Sequence, residues 1–100
     1  MDVPVTRVHE MVRERRVLAV RRGENAVRQV PALFFTDGKH GLEPVPTLAG
    51  TITLMTDAGF DDDEIVAWLL EDNAELGESP MEALRHGRRS PVRRAAQTLF

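Results

Sequence analysis

Residues 36–46, "TDGKHGLEPVP", hold two glycines and two prolines in eleven positions. Such a stretch punctuates the chain, because Gly and Pro both interrupt regular hydrogen bonding. It reads as a loop or linker between two tracts with different apolar periods. The expected organisation is a helix and a hairpin over 1–35, a linker loop over 36–46 and a helical domain over 47–100. One hundred residues suffice for one compact domain or for two small units sharing a core.

In the first tract, Val5, Val8, Met11 and Val12 recur at helical spacing, which predicts one apolar stripe along about three turns. Pro4 stands where a helix can begin, and Thr6, Arg7, Glu10 and Arg13 fall off the stripe. "VLAVRR" and "AVRQV" then read as two short strands, with "RGEN" as a hairpin turn and Arg21, Arg22 and Arg28 around it. "ALFF" (32–35) is a short apolar plug for the core.

The second tract reads as three or four helices. From Thr47 to Ala58, Leu48, Ile52, Met55 and Leu54 point inward, with Gly59 as the terminating residue. Asp61, Asp62, Asp63 and Glu64 crowd a helix start, where the macrodipole favours negative charge. Ile65, Trp68 and Leu69 are the expected buried face of that helix. "EDNAELGE" reads as a turn. Ser79 and Pro80 open a further helix with Glu82 placed to complete a capping box. "SPVRRAAQTLF" repeats the Ser-Pro start, with Val92, Ala95, Ala96 and Leu99 inward and Arg93 and Arg94 outward.

Charge is segregated along the chain. Residues 1–30 carry seven arginines against four acids, 31–80 one lysine against eleven acids, and 81–100 five arginines against one acid. The net charge of −3 therefore conceals blocks of +3, −10 and +4. Either the basic ends face a polyanion, or they neutralise the acidic middle. With no cysteine, disulfides and thiolate metal sites are excluded. The apolar runs are too short to span a bilayer and no signal-peptide pattern opens the chain, so no membrane contact and a cytoplasmic location are expected.

Catalytic signals are weak. His9, His40 and His86 stand far apart without metal-ligand spacing. Ser79 and Ser90 read as helix caps, "GTITLM" lacks the second glycine and the lysine of a phosphate loop, and the acidic run lacks the alternation of a calcium loop. The expectation is a protein that is not an enzyme and uses no cofactor or metal. DNA binding fits better. A recognition helix needs an apolar back and polar or basic residues outside, and a basic hairpin adds phosphate or minor-groove contacts. Candidate DNA-contacting residues are Thr6, Arg7, Glu10 and Arg13 on the helix and Arg21, Arg22 and Arg28 on the wing.

"VPVTRVHEMVRERRVLAVRR" resembles the reader of excisionase-like and MerR-like winged helix-turn-helix proteins, through Val8, His9, Met11, Val12, Arg13 and then Leu18-Ala19-Val20-Arg21. Over nearly its whole length the chain resembles small, mycobacterial-type actinobacterial DNA-binding proteins. "GTITLMTDAGFDDDEIVAWL", "SPMEALRHGR" and "VRRAAQTLF" follow that family's C-terminal half. The resemblance implies a mainly α fold with a small β-hairpin: a winged helix-turn-helix plus a C-terminal helical bundle. It implies double-stranded DNA as partner and a role in transcription regulation. The family's first helix has no counterpart ahead of Val5, and Arg15 replaces the glycine usual after the recognition helix. The apolar back of Val8, Met11 and Val12 is then expected to rest on the C-terminal half or on a second copy in a homodimer.

"AGFDDDEIVAWLLEDNAELGESPMEALRHG" is also similar to the toxin-binding domain of a class of bacterial antitoxins. That alternative implies a protein partner for the C-terminal domain and a vestigial DNA reader.

Overall fold

A computed structural model describes residues 5–22, 27–38 and 41–99. Five helices and two antiparallel hairpins follow in order: α1 Val5–Arg13, β1 Val20–Arg22, β2 Val27–Gln29, β3 Phe35–Gly38, β4 Gly41–Pro44, α2 Leu48–Asp57, α3 Asp62–Leu70, α4 Pro80–Arg85 and α5 Arg89–Gln97. A single turn of 3-10 helix, Ala32–Phe34, joins the hairpins. The fold is thus mainly helical, with the first hairpin where the sequence predicts it. Its turn, residues 23–26, lies outside the described residues, as do Pro4 and the side chain of Val5.

One hydrophobic cluster runs through both halves. Met11, Val17, Leu18 and Phe34 from the front are buried together with Leu48, Ile52, Met55, Ile65, Leu69, Met81 and Val92 from the rear. The apolar back of α1 is therefore anchored on the C-terminal helices through Met11, with Val12 resting against the same core. Val8 stays half-exposed. Burying a side chain of this size is worth roughly 1.5–3 kcal/mol, so Met11 fixes the helix firmly.

The segment expected to be a linker is a hairpin. Phe35 pairs with Pro44, Thr36 with Glu43, Asp37 with Leu42 and Gly38 with Gly41. Glycine and proline signal a loop when read locally. Here Pro44 closes the strand and Pro46 lies beyond it, positions that ask for no ladder N–H. A lone two-stranded hairpin is marginal, and this one is tied down at its open end. The Val45 N–H donates to Phe34 O at 2.8 Å. Arg85 of α4 donates to Leu33 O at 3.0 Å and to Phe35 O at 2.6 Å.

Helix ends follow local rules closely. Asp61 caps α3 by accepting from Glu64 N at 2.8 Å, while Glu64 accepts from Asp61 N at 3.0 Å. Ser79 caps α4 by accepting from Glu82 N at 3.2 Å. Helices α1, α2 and α4 all end in paired six-to-one and five-to-two bonds: Arg16 N to Met11 O with Arg15 N to Val12 O, Phe60 N to Met55 O with Gly59 N to Thr56 O, and Arg88 N to Ala83 O with Gly87 N to Leu84 O. This motif requires a left-handed residue after the cap, which glycine adopts without strain. Gly59 (φ 99°) and Gly87 (φ 79°) comply, whereas α1 uses Arg15 at φ 60°. Its side chain offsets the strain: Nη1 lies 3.0 Å from Asp62 Oδ1 and Nη2 donates to Thr56 Oγ1 at 2.8 Å. The end of α1 is thereby tied to both α2 and α3.

Three further expectations are corrected. Val66, not Trp68, joins Ile65 and Leu69 in the buried face of α3, and Trp68 lies half-buried against the core. Ser90 lies inside α5, whose cap is Arg88. Leu99 is 43% exposed, because the helix ends at Gln97 and the last turn runs past the core.

The turn before α4 is closed by Asn73 and Glu78, which form an isolated antiparallel bridge. Glu78 accepts from Arg88 at 2.7 Å and lies 2.9 Å from His86 Nδ1, while Arg88 also donates to Leu76 O at 2.9 Å. The Arg88 hydrogen bond, opposed by burial and assisted by His86, holds the Glu78 carboxyl below its ordinary value of 4.5. Its folded value lies below the unfolded one, so the stabilisation is complete above the ordinary value and lost as pH falls through the depressed one. Thermal melts should therefore decline below about pH 4.5, and Glu78→Gln should make that decline shallower. An unchanged acid limb would contradict the assignment.

Candidate nucleic-acid interface

The outer side of α1 follows from the burial of its inner side. Met11 is 2% exposed, so residues on the opposite side of the helix must face solvent. His9, Glu10 and Arg13 do so, and Arg7 is half-buried. Arg13 stands in the last turn, where a cation suits the dipole. No acidic residue occupies the first turn. The side chain of Thr6 lies outside the described residues.

Six residues beyond α1 the chain enters the first hairpin, and β1 rests against α3. Its register pairs Val20 with Gln29, Arg21 with Arg28 and Arg22 with Val27. The backbone thus sets Arg21 and Arg28 opposite one another, although the side chains of Arg21, Arg22 and Arg28 are outside the described residues. Like charges at directly opposed positions destabilise a ribbon unless a counter-charge intervenes. Helical spacing does not single out Arg16, which is exposed just after α1 and lies 3.9 Å from Glu14. The run "RERR" is its signal in the sequence.

Other candidate chemistry separates. His9 is on α1 and His86 at the end of α4, while His40 is outside the described residues. Among the described residues no group of three or more His, Asp or Glu is placed to hold a metal ion. No helix among them is long and apolar enough to cross a membrane.

Comparison with known proteins agrees with this layout. Residues 1–35 match the winged helix-turn-helix domain of DNA-binding protein Rv2175c, and residues 45–99 match the Rv2175c C-terminal domain of unknown function. The stretch similar in sequence to a toxin-binding domain lies within the latter match, so the antitoxin alternative is not favoured. DNA-binding protein Rv2175c of Mycobacterium tuberculosis (strain ATCC 25618 / H37Rv) is 33% identical over 108 residues, an alignment spanning 95% of this chain and 70% of the relative. The NMR structure of Rv2175c shares this fold with a TM-score of 0.75 at 32% identity, covering 98% of this chain and 73% of that one. An excisionase-like or MerR-like character of the reader is not specifically supported by these matches. The chain belongs to the Rv2175c family, in which a winged helix-turn-helix domain precedes a C-terminal domain of unknown function.

Proposed function

We propose that this chain is a double-stranded DNA-binding protein acting in transcription regulation, with α1 as the recognition helix and β1–β2 as the wing. The observation that carries the reading is the two-sidedness of α1: Met11 is locked in the core while Glu10 and Arg13 stand exposed. Six residues after the helix, the chain enters a hairpin whose register sets Arg21 opposite Arg28. Membership of a family whose N-terminal domain is described as DNA-binding supports it further.

In this reading Thr6, Arg7 and Arg13 contact base edges or nearby phosphates. Glu10 accepts from an exposed base amino group, as acidic side chains do with cytosine. Arg21, Arg22 and Arg28 hold phosphates or enter the minor groove. The role is binding without catalysis, and a DNA partner fits a cytoplasmic protein.

Fluorescence anisotropy with a labelled duplex at about 50 and 200 mM salt tests this. Contact with six to ten phosphates should lower affinity by about 10³–10⁵ across that range. Absence of binding at the lower salt would overturn the reading.

A further inference from the structure

The five arginines of residues 81–100 do not share one fate. Arg85 is spent on the carbonyls of Leu33 and Phe35, and Arg88 on Glu78 and Leu76. Arg89, Arg93 and Arg94 are exposed, and their guanidinium groups make no ion pair or hydrogen bond among the described residues. The acidic cluster at the start of α3 is already engaged near its own helix. Asp61 and Glu64 cap each other's backbone, and Asp62 pairs with Arg15. Among the described residues no ion pair joins Arg89, Arg93 or Arg94 to residues 61–64.

Their placement also runs against the needs of the fold. Helix α5 opens on Arg88, which Glu78 and Leu76 O hold, and on Arg89, which has no such partner among the described residues; no acid lies in its first turn, whereas the macrodipole there favours negative charge. Helix α3 obeys that rule with three acids. A local rule broken without a folding gain points to a functional surface. Arg89 and Arg93 lie one turn apart and line a cleft of about 470 Å³ between α5 and α2, with Thr47, Gly50, Thr51 and Ser90 around them and Leu54 as its apolar wall; the Thr51 hydroxyl donates to Thr47 O. Two cations beside small polar residues in a concave surface suit the phosphates of a nucleic-acid backbone, which arginine and hydroxyl side chains bind without regard to sequence.

We propose that Arg89 and Arg93, in the cleft between α5 and α2, form a second phosphate-binding surface for duplex DNA within the C-terminal domain. The proposal rests on the DNA-binding reading above and extends it beyond the winged helix. The surface adds affinity and salt dependence and carries no base preference.

Anisotropy titrations of a labelled duplex over several salt concentrations test it, comparing the unsubstituted chain with Arg89→Ala/Arg93→Ala and with Gly50→Glu. A Cβ at Gly50 meets nothing within 4 Å, and an acid in the first turn of α2 suits the dipole, so Gly50→Glu keeps the fold while placing negative charge in the cleft. The double variant should flatten the slope of log affinity against log salt by about 0.9 for each phosphate no longer neutralised. That corresponds to about eightfold weaker binding per phosphate at 0.1 M salt. Gly50→Glu should weaken binding as well, and neither variant should alter preference between duplex sequences. Unchanged slope and affinity in both, with Arg13→Glu still weakening binding, would overturn the second surface and leave the winged-helix reading standing. Failure of the unsubstituted chain to bind duplex would overturn both.

Discussion

Phe34→Ala should lower stability by about 3–5 kcal/mol, the usual cost of emptying a fully buried aromatic site. Phe34 is 0% exposed and sits in the one-turn helix between the two hairpins. Its carbonyl accepts from Val45 N, and its neighbours Leu33 and Phe35 accept from Arg85. The ring therefore joins the winged part to the helical part at a point where the backbone of both is fastened. Domains of this size are stable by only about 5–15 kcal/mol, and each kcal/mol moves the midpoint by about 4–8 °C. A fall of roughly 12–40 °C in one cooperative transition is expected. Leu33→Ala next to it, at 38% exposure, should stay within about 0.5 kcal/mol. Two separate transitions in the Phe34 variant, or a loss below about 1 kcal/mol, would contradict a single core shared by both halves.

The largest functional effect is expected from Arg13→Glu combined with Arg21→Glu. Arg13 is exposed on the last turn of α1, and Arg21 is paired with Arg28 across the wing. Each reversal removes a cation and puts an anion where phosphate would lie. At 50 mM salt, failure to neutralise a single phosphate already weakens binding about fifteenfold, so the double reversal should exceed about 100-fold. The fold should survive. Reversal at Arg13 forfeits a helix-dipole contribution of about 0.3–1 kcal/mol, while reversal at Arg21 replaces a like-charge pair with Arg28 by an opposite-charge one. A variant that melts normally and binds DNA as before would move the binding surface away from α1 and the wing.

What the sequence made legible was governed by rules that act within one turn of chain. The Ser79 cap and the left-handed Gly59 are local devices found where the pattern predicts them, whereas among the described residues the reciprocal capping box forms at Asp61–Glu64 and only the Ser79 half of the one expected at Ser79–Glu82 is made. On the outer face of α1, Glu10 and Arg13 stand exposed as the apolar stripe through Met11 implies, while Arg7 is half-buried. Tertiary effects were not legible. Residues 36–46 carry loop chemistry, yet most of them pair as strands because Arg85, some fifty positions away, holds the carbonyls beside them. Arg15 stands where glycine is favoured, and its tolerance depends on Asp62 and Thr56, more than forty positions along the chain. Arg88 counts as surface charge in a tally, but the turn at residues 73–78 brings Glu78 to it and removes it from any polyanion surface. Composition therefore indicates the sign of the C-terminal tail while leaving open which arginines are free to act.

Amide chemical-shift mapping of the labelled protein against a short duplex tests the central claim most directly. Shifts concentrated in residues 5–13 and 20–29 are predicted, with a second group on α5. The helical core around Ile52, Ile65 and Leu69 should stay unmoved. Shifts confined to the acidic surface of α3, or no shifts at a duplex concentration well above that of the protein, would contradict DNA binding through α1 and the wing.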